Sequence, residues 1–302
     1  MMKLNGIMLP LTTPFESGKS AAGLLQDNIA RYEESGLNGY LVVGSTGEAA
    51  LLDRDERVQV WEAARAAIPQ GKPLIAGTGV ESTSATIRMT RTAADCGADF
   101  ALILTPFFFR KSMTGEALAA HYQAVADVSP IPVLLYNNPI ITGIVIPPAV
   151  VGVLCAHENI AGLKDSAGDL GWMADVLNRV PGNFAVISGH AFTLLPALTL
   201  GASGGILAVA DAVPEPFVSI YEDFRREDTE AALRIQKAVI PAVRTILGRH
   251  GVPGVKAAMD MRGLHGGHPR PPLLPASEEA KVEIKEALEQ LSADKLIPAT
   301  RL

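Results

Sequence analysis

Three short stretches of this chain carry side chains able to work on a carbonyl group. Lys164 follows the apolar run Ile160-Ala161-Gly162-Leu163, so its amine stands at the end of a buried segment and not on a solvated helix. An amine withdrawn from water favours its neutral form, and a neutral amine adds to a ketone to give an imine. By position alone, Lys164 reads equally as a lysine reaching to a rim or pairing with Asp165. Tyr136 ends a second apolar run and offers a phenol. Imine formation must protonate a departing hydroxyl, and an aldol step must move a hydroxyl proton; one phenol can serve both. A tyrosine that only caps its strand in water is the plain alternative. Ser45 and Thr46 lie between Gly44 and Gly47. Glycines let successive N–H groups converge on an anion such as a carboxylate, although Gly-Ser-Thr-Gly also makes an ordinary turn.

The elements that must position these groups alternate along the chain. Apolar runs at 6–11, 40–43, 73–76, 100–104, 132–136, 160–163, 184–187 and 205–209 read as parallel strands covered on both faces. Amphipathic segments separate them. Asp53 with Glu56 forms a capping-box pattern, Ser82 and Thr114 are helix caps, and Pro147-Pro148 opens a helix. Eight strands each followed by a helix predict a closed (β/α)8 TIM barrel over residues 1–226. Beyond it, helical patterns at 228–247, 252–261 and 277–291 predict a C-terminal helical region, 227–302, with a Gly/Pro-rich loop at 265–275. No Gly-x-Gly-x-x-Gly follows the first strand, which disfavours a dinucleotide fold. On a barrel, residues just past the strand ends surround one mouth. Ser45, Thr46, Tyr136, Lys164 and the Ser188-Gly189-His190 stretch all fall there.

The whole chain narrows the partners. Its 302 residues carry a net charge of −6 with Lys and Arg scattered, which argues against nucleic acid or an anionic membrane. Residues 1–11 do not read as a signal peptide, and no apolar run approaches the ~18 residues of a membrane span. Cys96 and Cys155 sit in apolar helical patterns and read as buried free thiols. A cytoplasmic enzyme is the expectation.

Taken together, the motifs resemble the dihydrodipicolinate synthase/N-acetylneuraminate lyase family of class I pyruvate-dependent aldolases. Gly44-Ser45-Thr46-Gly47-Glu48 is similar to its carboxylate loop, Tyr136-Asn137-Asn138-Pro139 to its tyrosine motif, and Gly162-Leu163-Lys164-Asp165-Ser166 to its lysine motif. The order and spacing match over nearly the whole chain. The resemblance implies Lys164 as imine former, Tyr136 as proton shuttle and Ser45 with Thr46 as carboxylate holders. It also implies that Gly189 and the backbone near Leu207 line the pocket. It further implies a 2-oxo acid substrate, no external cofactor, and a homotetramer built as a dimer of dimers.

The branch is a finer matter. Where the synthase branch has an arginine for a second carboxylate, two residues past the motif proline, this chain has Ile141. Glu81-Ser82-Thr83, Val252-Pro253-Gly254-Val255-Lys256 and Ser166 after the Lys-Asp pair are instead similar to 4-hydroxy-2-oxoglutarate aldolase. Cleavage of such a substrate, or of a 2-oxo-3-deoxy sugar acid, is therefore the leading expectation. Synthase-type condensation of pyruvate with an aldehyde is the alternative, and a 2-oxo-acid-binding barrel with weak catalysis is the third. Phe108 stands where the family commonly has a proton-relaying tyrosine, which would leave Tyr136 dependent on Ser45, water or the substrate. His190 and Arg110 are candidates for the distal end of the substrate, each also readable as a plain surface residue. His265 and His268 read as loop residues without carboxylate or cysteine neighbours, and imine chemistry needs no metal.

Overall fold

Apolar runs without polar alternation become strands buried on both faces, and here eight of them close on one another. The computed structural model describes residues 4–298. The strands are β1 (Gly6–Pro10), β2 (Gly39–Val42), β3 (Leu74–Gly77), β4 (Phe100–Leu104), β5 (Val133–Asn137), β6 (Ile160–Asp165), β7 (Ala185–Ser188) and β8 (Gly204–Ile206). All pair in parallel in chain order, and β1 joins both β2 and β8, which completes the barrel. The two-stranded hairpin of Phe15–Glu16 and Lys19–Ser20 lies outside it.

Among the described residues, seven helices of seven or more residues separate the strands up to β8, besides the one-turn helix Pro139–Thr142: α1 (Ala22–Tyr32), α2 (Arg54–Ala67), α3 (Thr83–Asp95), α4 (Gly115–Ala126), α5 (Pro148–Leu154), α6 (Leu170–Leu177) and α7 (Leu194–Leu200). The eighth, α8 (Pro214–Arg225), completes the barrel's outer ring. Their starts follow the caps read in the sequence. The Asp53 side chain accepts the Glu56 N–H at 2.9 Å while Glu56 accepts the Asp53 N–H at 3.1 Å. Ser82 and Thr114 cap α3 and α4 by accepting the Ala85 and Ala117 N–H groups, and Pro148 opens α5 where no N–H is needed.

Inside the barrel, Met8, Leu41, Ile75, Leu102, Leu134, Tyr136, Ile187 and Ile206 belong to one buried cluster. Trp61, Tyr122 and Phe217 pack between strands and helices, all fully buried. The last strand is shorter than its apolar run because the chain turns at Leu207 into a 3-10 turn, Ala208–Asp211.

Three further helices follow, α9 (Thr229–Val243), α10 (Gly251–Met261) and α11 (Glu278–Ala293). The helix predicted over 228–247 is not continuous: from Arg244 to Arg249 the ladder widens to π spacing. Pro241, which has no N–H to give, stands inside the last turn of α9, and the regular ladder lapses just past it. Cys96 and Cys155 are free but only half-buried, less enclosed than their apolar surroundings in the sequence suggested. Among the described residues no helix is long and apolar enough to cross a membrane.

Candidate active site

Tyr136 and Lys164 are cross-strand partners of β5 and β6. Parallel pairing in register puts partners on the same face. Tyr136 belongs to the cluster inside the barrel, so Lys164 turns inward beside it. Lys164 is 3% exposed, and its Nζ lies 4.6 Å from the centre of the Tyr136 ring. Among the described residues no hydrogen bond or ion pair engages that Nζ. Asp165, the partner that position alone allowed, is committed elsewhere. It accepts from Asn137 Nδ2 at 2.7 Å and from the Ala167 N–H at 3.2 Å. Burial nonetheless pushes the Asp165 carboxyl above its ordinary range.

The phenol has three polar neighbours. Asn138 Nδ2 donates to its oxygen at 2.9 Å, Ser45 Oγ lies at 3.2 Å, and Ser166 Oγ at 3.5 Å. Burial alone would raise the phenol's pKa. The Lys164 charge and the bonds from Ser166, Ser45 and Asn138 outweigh it and hold Tyr136 below its ordinary value. A phenol so poised gives up its proton more readily and still has hydroxyl neighbours to recover one from. Asn138 stood in a motif quoted from the sequence but was given no role there.

Ser45 and Thr46 occupy a sharply bent turn. Val43 before it and Glu48 at its end both take left-handed backbone, φ 57° and 58°, a conformation costing non-glycine residues about 1–3 kcal/mol. Gly77 on β3 is required beside it, since any Cβ there would strike the Val43 carbonyl. Thr46 is buried, and among the described residues no acceptor takes the Ser45 or Thr46 backbone N–H. Two free donors and two hydroxyls thus share one turn beside the phenol.

Gly189, past the end of β7, donates its N–H to the Asp165 carbonyl at 2.5 Å. A Cβ on it would overlap Ser166 Oγ and come 3.0 Å from Lys164 Cε, so only glycine leaves the lysine its channel. Leu207 is wholly buried, its backbone extended just past β8. His190 is turned aside: its Nδ1 lies 3.1 Å from Thr193 Oγ1 and its ring tilts against Phe192. No hydrogen bond links it to Tyr136 or Ser45. Burial lowers its pKa, partly offset by Asp165.

A cavity of about 500 Å3 opens from Ser45 and Tyr136 and is walled largely by Leu104, Phe107, Ile141 and Leu273. Arg57, which the sequence did not single out, and Glu81, quoted there only within a branch motif, are charged groups in its wall. Arg57 donates to the Ala49 and Leu52 carbonyls, and Glu81 accepts the N–H groups of Phe107 and Phe108. Phe108 is 75% exposed, while Arg110 is exposed and lies along Gly143. His265, read as lacking a carboxylate neighbour, sits 2.6 Å from Asp27 across the fold, a pairing invisible in local sequence. Among the described residues no three His, Cys, Asp or Glu side chains gather as metal ligands.

Residues 3–291 match the Dihydrodipicolinate synthetase family. A 4-hydroxy-tetrahydrodipicolinate synthase of Methanospirillum hungatei is 37% identical over 287 residues, covering 94% of this chain and 98% of its own. A dihydrodipicolinate synthase structure from Bacillus anthracis superposes with a TM-score of 0.91 at 27% identity, over 96% of this chain and 99% of that one. The chloride-inhibited dihydrodipicolinate synthase of Acinetobacter baumannii, solved in complex with pyruvate, is 29% identical with a TM-score of 0.90, covering 97% and 99%.

Proposed function

The chain belongs to the dihydrodipicolinate synthetase family, whose members are class I pyruvate-dependent lyases, and from that premise we propose that it condenses pyruvate with an aldehyde through an imine on Lys164. The observation that carries this is the buried, unpaired Lys164 amine on the face of Tyr136. Ser45 and Thr46 hold the pyruvate carboxylate with hydroxyl and N–H donors. The Lys164 amine adds to C2, Tyr136 protonates the departing hydroxyl, and water leaves as the imine forms. The Tyr136 phenolate left behind takes a proton from C3, and the iminium nitrogen accepts the electron pair that this releases. The resulting enamine carbon attacks the aldehyde, the new alkoxide takes its proton from Tyr136, and water then hydrolyses the product iminium, which frees Lys164 and returns a proton to the phenolate. Asn138, Ser45 and Ser166 keep the phenol oriented throughout. The imine supplies the electron sink, so no external cofactor enters.

The synthase names of the relatives support condensation over the cleavage expected from the sequence. Cleavage of a 4-hydroxy-2-oxoglutarate-like or 2-oxo-3-deoxy sugar acid is the second reading. Ile141 favours it, since an apolar residue stands where the synthase branch binds a second carboxylate. Initial rates decide between them: pyruvate consumption with aspartate semialdehyde and other aldehydes, against pyruvate release from 4-hydroxy-2-oxoglutarate. Consumption is expected to dominate; release alone would overturn the condensing direction.

Residues 1–226 are assigned to the catalytic barrel and 227–302 to a helical region that braces it. A homotetramer in the cytoplasm completes the proposal. Exposed Phe108, Phe109, Ile140 and Val145 are apolar surface of the kind that oligomers cover.

A further inference from the structure

Glu48 closes the carboxylate turn, yet its side chain leaves the mouth and enters the protein. Its carboxylate lies 2.6 Å from Lys256 Nζ of α10, with the two side chains 1% and 0% exposed. The second carboxylate oxygen accepts the Arg270 backbone N–H at 2.7 Å. Lys256 spends its other protons on the carbonyls of Thr13, at 2.8 Å, and His268, at 3.2 Å. Thr13 in turn donates its hydroxyl to the Gly47 carbonyl at 2.7 Å. One ammonium therefore grips the turn at two successive residues, directly through Glu48 and through Thr13 at Gly47.

A buried ion pair is a poor means of stabilising a fold, because desolvation cancels most of the attraction; fixing one geometry is its better-attested use. The geometry fixed here is an unfavourable one. Glu48 sits in left-handed backbone without being glycine, and its N–H donates back to the Ser45 carbonyl at 3.1 Å. Released from Lys256, the residue would relax toward ordinary backbone and carry Ser45 and Thr46 with it.

We propose that Lys256 is a positioning residue for the substrate carboxylate, setting the Ser45–Thr46 turn through Glu48 and Thr13, so that a helix of the C-terminal region tunes 2-oxo acid recognition in the barrel. The proposal rests on the assignment of that turn to the carboxylate. A ketone without a carboxylate should be indifferent to Lys256, which separates positioning from general loss of structure.

The experiment measures borohydride-trapped adduct on Lys164 as a function of ketone concentration, for pyruvate and for hydroxyacetone. Lys256→Met, which keeps an unbranched side chain one atom shorter and removes the charge, is expected to raise the pyruvate half-saturation at least tenfold and to change hydroxyacetone less than twofold. Glu48→Gln is measured alongside, in case Lys256→Met does not fold, and is expected to show the same selectivity. Equal losses for both ketones, or an unchanged pyruvate half-saturation, overturn the positioning role. Two controls keep the failures distinct. Absence of any pyruvate adduct in the unaltered protein would refute the imine, and an unchanged pyruvate half-saturation in Thr46→Val would refute the carboxylate turn. If both controls behave and Lys256→Met is inert, the positioning role alone falls.

Discussion

Lys164 Nζ rests 4.6 Å from the centre of the Tyr136 ring, and the two residues are register partners on adjacent strands. Nucleophile and proton carrier are thus set by the barrel's hydrogen-bond ladder and not by a loop, which fixes their separation without substrate.

Removing the phenol should separate proton transfer from binding. Tyr136→Phe keeps the ring under Lys164 but deletes the acid, so turnover is expected to fall about 10²–10⁴-fold, with a smaller change in pyruvate half-saturation. Steady-state kinetics check this, and an unaffected kcat would exclude Tyr136 as the proton carrier.

The same phenol sets an alkaline limit. Steps that need its proton fail once it ionises, and its pKa is held below the ordinary value by Lys164 and by bonds that include Ser166. Ser166→Ala removes one of those bonds, so the alkaline limb of the kcat–pH profile should move to higher pH. A shift to lower pH would contradict the assignment.

Carboxylate recognition is expected to be local to the turn. Thr46→Val keeps the shape and deletes a hydroxyl, and a hydrogen bond to a charged group contributes about 1.5–3 kcal/mol. Pyruvate half-saturation should therefore rise by roughly 10–100-fold, with kcat changed far less.

Gly189→Ala tests how tightly the lysine's channel is built. The new methyl group would press on Ser166 Oγ and Lys164 Cε, so the rate of imine formation should drop at least about tenfold. The thermal midpoint should stay within a few degrees of the unaltered protein. Unchanged imine formation would show that the site yields easily.

Asp211 gives a prediction about stability. It is wholly buried after β8, and no donor reaches either carboxyl oxygen with good hydrogen-bond geometry. Burial raises its pKa well above the carboxylate range, and the nearby Thr12 N–H and Lys164 charge offset only part of this. The folded state therefore keeps a proton that the unfolded chain loses near pH 4, about its ordinary pKa. Stability from this group is full below that pH and falls as pH rises, by up to about 1.4 kcal/mol per unit, until the folded pKa is passed. Asp211→Asn removes that slope. Urea unfolding at increasing pH above about 4 should show the variant gaining on the unaltered protein until the folded pKa of Asp211 is passed, and a difference that never changes with pH would contradict the account.

Much of the barrel was legible because parallel strands buried on both faces write themselves as unbroken apolar runs, and because helix caps are local. Lys164 and Tyr136 were legible for the same reason: each ends such a run, and the fold sends strand ends to one mouth. The illegible parts depend on contacts between distant segments. Nothing near Glu48 announces Lys256, nothing near Asp27 announces His265, and a helix pattern alone does not reveal the π segment after Pro241. Asn138 was visible in its motif, but its bond to the phenol depends on how the chain turns after β5.

The central claim is that Lys164 forms an imine with a 2-oxo acid. Incubation with pyruvate and borohydride, followed by peptide mass analysis, tests it most directly. A reduced pyruvate adduct confined to Lys164, and absent from Lys164→Ala, is the expected result. An unmodified Lys164 peptide, or an adduct on another lysine, would contradict it.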